Sequence, residues 1–158
     1  MNRFAATPLV LIVLVFGLVA CGGGGSGDAP SKADFAASAD KICNESEQAL
    51  KNVGQDANSP AEIAKAVDTV IDQTQKSIDK LKALDRPDGA AGEAAGKFVD
   101  AIQSDIEGKG IPALEDLRDA LKKNDQVAAQ KAAQKLQAIE TTDSNKLASE
   151  IGAKGCAN

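Results

Sequence analysis

From Ile63 to Leu84 the apolar residues recur at the spacing of an α-helix. Ile63, Val67, Val70, Ile71, Thr74, Ile78, Leu81 and Leu84 follow one another at steps of one, three or four, which keeps one face of a helix for about six turns. Lys65, Asp68, Asp72, Gln75, Lys76, Asp79, Lys80 and Lys82 take the other faces. No stretch alternates with period two, and no β-branched run is bounded by tight turns. Stripes of this kind can be buried only against one another, so the expected fold is all-α. It is an up-and-down bundle of four main helices, the third kinked near Gly108–Pro112, with a short C-terminal helix.

Punctuation residues set the expected boundaries. Ser31 is the first N-cap, with Asp34 three residues on. The first stripe is Phe35, Ala39, Ile42, Cys43, Ser46, Ala49, Leu50 and Val53, closed by Gly54 at C′. Ser59, Pro60 and Glu62 open the second helix as cap, first helical residue and capping-box partner. Arg86-Pro87 stops it, because a residue before proline is pushed out of the helical region. The third helix starts at Pro87-Asp88 and carries Ala91, Ala94, Ala95, Phe98, Ile102 and Ile106. Gly108 to Pro112 interrupts it, and Ala113, Leu114, Leu117, Ala120 and Leu121 resume in phase. Pro112 forfeits its bond to the Gly108 carbonyl, which predicts a kink rather than a hairpin. Gly89, Gly92 and Gly96 weaken this helix and are expected to mark close packing against an alanine-rich neighbour. Asn124-Asp125 caps a fourth helix with Ala128, Ala129, Ala132, Ala133, Leu136 and Ile139 inward. The last helix runs over 142–151, with Leu147 and Ile151 inward and Gly152 ending it.

The chain ahead of these helices has a different character. Asn2 and Arg3 precede an apolar run of eleven residues, Leu9 to Val19. A bilayer-spanning helix needs about 20, so the run reads as a secretory signal. Leu18-Val19-Ala20-Cys21 resembles the bacterial lipoprotein signal. That resemblance implies transfer of diacylglycerol to the Cys21 sulfur, cleavage after Ala20 and a palmitate-type lipid anchor. Two or more acyl chains hold a protein stably where one does not. The expected organisation is a signal peptide over 1–20, a lipidated cysteine and Gly-rich tether over 21–30, and a helical domain over 31–158. The tether's nine residues, 22–30, span about 15–18 Å root-mean-square. The resulting location is the cell membrane, on its extracytoplasmic face.

Charge and missing residue types narrow the chemistry. The formal net charge is −5, and Arg3 leaves with the signal, so the remainder is more negative by one. A mildly acidic domain has no electrostatic reason to bind nucleic acid. The chain has no His, Trp or Tyr, and beyond residue 20 its aromatics are Phe35 and Phe98. Catalytic triads and His-ligated metals or haem therefore cannot be built, and stacking surface for sugars or bases is scarce. No enzyme activity, metal or other cofactor is expected. Asp68, Asp72, Glu115, Asp116 and Asp119 lie mostly on polar faces and read as solvated surface, since a dimetal bundle needs Glu-x-x-His pairs. Asp85 to Gly89 lacks the alternating ligands of a calcium loop and reads as a turn.

Besides Cys21 the chain carries Cys43, on the inner face of the first helix, and Cys156 near the C-terminus. In an exported protein one even pair is most simply one disulfide; the alternative is two free thiols. The segments Asp34-Phe35-Ala36 with Ala39-Asp40-Lys41-Ile42-Cys43, Leu114 with Leu117, Ala120-Leu121 and Asn124-Asp125, and Leu147-Ala148 with Ile151-Gly152-Ala153-Lys154-Gly155-Cys156 resemble a group of small alanine-rich lipoproteins of actinobacteria. The resemblance covers the domain beyond the signal, and its motifs are structural. It implies a helical bundle, a disulfide from first helix to C-terminus and an envelope location, and carries no activity. The expected function is that of a membrane-anchored, non-enzymatic interaction or scaffolding module with an envelope protein as partner. The alternative is a carrier or sensor of a small apolar ligand, held in a groove of Phe98, Ile102, Ile106, Ile111 and Leu114 around the interruption.

Overall fold

A computed structural model describes residues 28–157. These residues form helices α1 (Lys32–Leu50), α2 (Pro60–Lys82) and α3 (Gly89–Asp105), a π-helical turn (Ile106–Gly110), then α4 (Ile111–Lys122), α5 (Gln126–Gln137), α6 (Thr142–Ile151) and a 3₁₀ turn (Lys154–Cys156). No strand occurs among the described residues.

The N-terminal caps explain where helices begin. The Ser31 hydroxyl accepts the Asp34 N–H at 3.2 Å while the Asp34 carboxylate accepts the Ser31 N–H at 3.2 Å, a reciprocal box that satisfies two otherwise orphaned donors. At α2 the Ser59 hydroxyl accepts the Glu62 N–H, but the Glu62 carboxylate reaches one residue further back, to the Asn58 N–H at 2.9 Å. Asp125 caps α5 by accepting the Ala128 N–H at 3.0 Å. Gly152 ends α6 in the left-handed region, φ +93°.

Two packing centres hold these helices together. Phe35, Ala39 and Ile42 of α1, Leu81 of α2, Ala95, Phe98 and Val99 of α3, Ala148 and Ile151 of α6 and Ala153 of the tail make one buried cluster. Burying a side chain such as Phe98 or Ile151 stabilises by roughly 1.5–3 kcal/mol each. The other centre, where α4 packs against both α2 and α5, buries mostly small residues: Ala64, Val67, Ala113, Ala120 and Ala132. Cross-helix ion pairs border it, Asp68 with Arg118 at 3.4 Å and with Lys122 at 3.1 Å, and Asp116 with Lys135 at 2.7 Å.

Three sequence expectations are corrected. The first helix stops at Leu50 and not at Val53; Gly54, φ +79°, sits in the turn that follows, with space for its Cβ limited by Ala66 of α2 at 3.2 Å. Ala49 is exposed, so the last turn of the expected stripe lacks the packing that would hold a helix end. At the start of α2, Ala64 is buried and Ile63 is 39% exposed, because the alanine-lined contact with α4 takes a small residue. Gly92 and Gly96 of α3 approach the preceding connector instead of a neighbouring helix, and a Cβ on Gly89 would meet nothing within 4 Å. A Cβ on Gly92 would overlap the Pro87 carbonyl, and one on Gly96 would come within 2.9 Å of the Arg86 guanidinium.

Candidate functional site

The interruption at Gly108–Pro112 is a π turn. The Ile111 N–H bonds back to the Ile106 carbonyl, one residue wider than an α-helical bond, and Pro112 follows within the first turn of α4. Single π turns inside helices recur at functional sites. Here the turn carries Ile106 to the margin of a recess of about 360 Å³ beside the disulfide.

Four parts of the chain wall this recess. Cys43 and Leu50 come from α1, Ile78 and Leu81 from α2, Ile102 from α3 with Ile106 from the π turn, and Cys156 from the tail. The lining is mainly apolar and also includes Ser46, Glu47, Thr74 and Ser77. The Ser77 hydroxyl donates to the Gln73 carbonyl at 2.9 Å. A second hollow of about 270 Å³ shares the lining residues Ser46 and Ser77 with the recess; Glu45, Gln73, Lys76, Asp79 and Lys80 complete it. A larger hollow of about 500 Å³ lies between α4 and α5, but Lys109, Asp116, Lys135 and Glu140 line it, and the Asp116–Lys135 pair spans it. Its charges already neutralise one another, which leaves the recess as the better binding surface.

The tail wall is fixed in place. Cys43 and Cys156 form a disulfide, with Cα atoms 5.3 Å apart and a sequence separation of 113. One residue before the bridge, the Gly155 N–H donates to the Asp40 carboxylate at 2.7 Å. A side chain at 155 would press on Asn44 and Asp40 at 3.1–3.2 Å. The opposite wall is fixed too: the Gln75 amide donates to the Glu107 carboxylate at 3.0 Å, and Lys82 lies 3.6 Å from it. The Gln75 bond, then Gln103 and Lys82, hold the Glu107 carboxyl below its ordinary pKa, so the strut is ionised at neutral pH. On the other side of the turn the Asp105 carboxylate, 2.9 Å from Lys109, raises the lysine's pKa.

The structure divides the apolar groove expected from sequence. Ile102 and Ile106 line the recess. Phe98 is fully buried in the core, so it offers no contact surface. Leu114 and Ile111 belong to α4 and are not part of the lining. Leu50, Ile78 and Leu81 were visible as stripe members, but their role in a shared wall depends on the uncovered second half of α1, which periodicity does not reveal. Leu18, Val19, Ala20 and Cys21 lie outside the described residues. The acidic candidates sit in surface ion pairs: Asp72 with Lys76 at 2.7 Å, Glu115 and Asp119 with Arg118 at 3.9 and 2.9 Å. Among the described residues no cluster of His, Cys, Asp and Glu could hold a metal ion, and no helix is long and apolar enough to cross a membrane.

Comparison with protein-family models, with curated proteins and with solved structures finds no match for this chain.

Proposed function

We infer that this protein is a membrane-tethered, non-enzymatic binding module of the bacterial cell envelope. The observation that carries the reading is the apolar recess of about 360 Å³, whose volume falls in the range of roughly 300–1,000 Å³ typical of small-molecule sites. Its lining offers apolar contact surface and the hydroxyls of Ser46, Thr74 and Ser77. The tethering part rests on the lipobox Leu18-Val19-Ala20-Cys21 and the Gly-rich stretch behind it. The resemblance to small alanine-rich actinobacterial lipoproteins supports the same location. In this reading the helices form an up-and-down bundle whose third member, α3 through α4, bends at the π turn. Gln75 bonds Glu107 while Asp68, earlier in α2, pairs with Arg118 and Lys122, later in the chain; that reversed order supports an antiparallel course.

The module holds a small apolar ligand in the recess. A small aryl diazirine, photolysed with the protein in its own membranes, should label peptides carrying Leu50, Ile78, Ile102 or Ile106 above all others. Even labelling across the helices would contradict the assignment. Tethering is tested separately: Cys21→Ala should release the protein from the membrane fraction, and its quantitative retention there would contradict the anchor. A second reading, docking of an envelope protein, is favoured by Val127, which stands 80% exposed on α5. Crosslinking in intact cells should then join one reproducible partner through α5, and loss of that crosslink in Val127→Ser would place the contact.

A further inference from the structure

We propose that the ligand of the recess is an amphiphilic cation, an aliphatic chain ended by a protonated amine. The proposal rests on the reading of the recess as a binding surface and adds the chemistry of its occupant. Leu50, Ile78, Leu81, Ile102 and Ile106 supply aliphatic walls, which take an alkyl chain out of water. Charge decides what ends the chain. Among the described residues Glu47 is the charged member of the lining, and no lysine or arginine joins it there. It lies four residues after Cys43 and three before Leu50 on α1, which puts it on their face of the helix. Glu47 is exposed and pairs with no lysine or arginine among the described residues, Lys51 one turn on included. Glu45, two residues earlier and outside the lining, is by contrast already engaged by Lys41 at 4.0 Å and Lys80 at 3.2 Å.

Hydrogen-bonding capacity runs the same way. An ionised carboxylate only accepts. The Ser77 hydroxyl has committed its proton to the Gln73 carbonyl at 2.9 Å, so toward a ligand it too only accepts. Ser46 and Thr74, the other hydroxyls of the lining, can each accept as well. An ammonium carries three donors and no acceptor, so it finds a partner in whichever of these groups it reaches. A chain ended by a carboxylate would instead meet the like charge of Glu47 with no cation in the lining to offset it.

The test uses one alkyl chain bearing a diazirine, ended in turn by an ammonium, a hydroxyl or a carboxylate. Each probe is added to the full-length chain as the cell processes it, extracted in a non-ionic detergent. On irradiation at low ionic strength the ammonium probe should label peptides carrying Leu50, Ile78, Ile102 or Ile106 about threefold to fivefold more than the hydroxyl probe, the upper part of the range for an exposed ion pair. The carboxylate probe should label them less than either. Added salt should shrink these differences. Glu47→Gln should erase the ammonium preference, while Glu93→Gln, which removes an exposed carboxylate of α3 outside the lining, should leave it intact. Equal labelling by the ammonium and hydroxyl probes, or an equal response to the two substitutions, would overturn the proposal. So would a preference that salt does not change, a readout that needs no variant to fold. If the hydroxyl probe labels the recess and the ammonium probe does so no better, the cation assignment fails and the binding-module reading stands; if no probe labels it, both fail.

Discussion

At Gly92 the Pro87 carbonyl occupies the space that a β-carbon would fill, whereas at Gly108, in the π turn, nothing lies within 4 Å of that position. The two glycines therefore predict opposite responses to the same substitution. Gly92→Ala forces the connector away from α3 and should destabilise by about 1–3 kcal/mol, the usual range for overpacking. Gly108→Ala should stabilise by roughly 0.5–1 kcal/mol through lost freedom in the unfolded chain. Urea unfolding of the two variants decides; a neutral Gly92→Ala would mean that the connector does not hold its place. Close approach at Gly92 was legible in the sequence, but its partner was not. Periodicity describes helix faces, and the path of the connector through Arg86 and Pro87 has no period.

The α2 cap shows how a helix end acquires a pH dependence. The Asn58 N–H, then the Ser59 hydroxyl, hold the Glu62 carboxyl below its ordinary value of 4.5. A lowered folded-state pKa means that the ionised carboxylate stabilises above the ordinary value, and that this contribution is lost as pH falls through the folded value. Glu62→Gln should accordingly be less stable than the parent at neutral pH and match it well below pH 4.5. Thermal melts at the two pH values check this, and an equal deficit at both would contradict it. The start signals of α1, α2 and α5 were readable because caps are local chemistry. The π turn was readable only as an interruption, because Gly108 and Pro112 announce a break in regular bonding without saying how the backbone reroutes it. The end of α1 was misplaced because whether a last turn holds depends on what covers it, and Ala49 is exposed.

For the molecule as a whole, the disulfide ties the C-terminal strap to the helix that forms one side of the recess. An even cysteine pair made the bridge legible, and the apolar stripes made the all-helical class legible. The division into an aromatic and aliphatic centre and an alanine-lined one was not, since it depends on which stripe meets which. The Cys43→Ser, Cys156→Ser double variant should lose about 2–5 kcal/mol in urea unfolding, as expected for removal of a native bridge from a small domain. It should also lower recess labelling, because Gly155 and Cys156 form part of the wall; unchanged stability and labelling would show that the strap stays in place without the bridge.

The most direct test of a tethered module with an occupied recess is native mass spectrometry of the full-length protein after extraction from its own membranes. The account predicts a chain beginning at Cys21 with covalent diacylglycerol, the Cys43–Cys156 bridge intact, and a non-covalent adduct with the mass of a small apolar ligand that Ile106→Trp, in the recess lining, strongly reduces. A polypeptide that still carries residue 1 and no lipid, with no adduct in the parent or the variant, would contradict both the tether and the site.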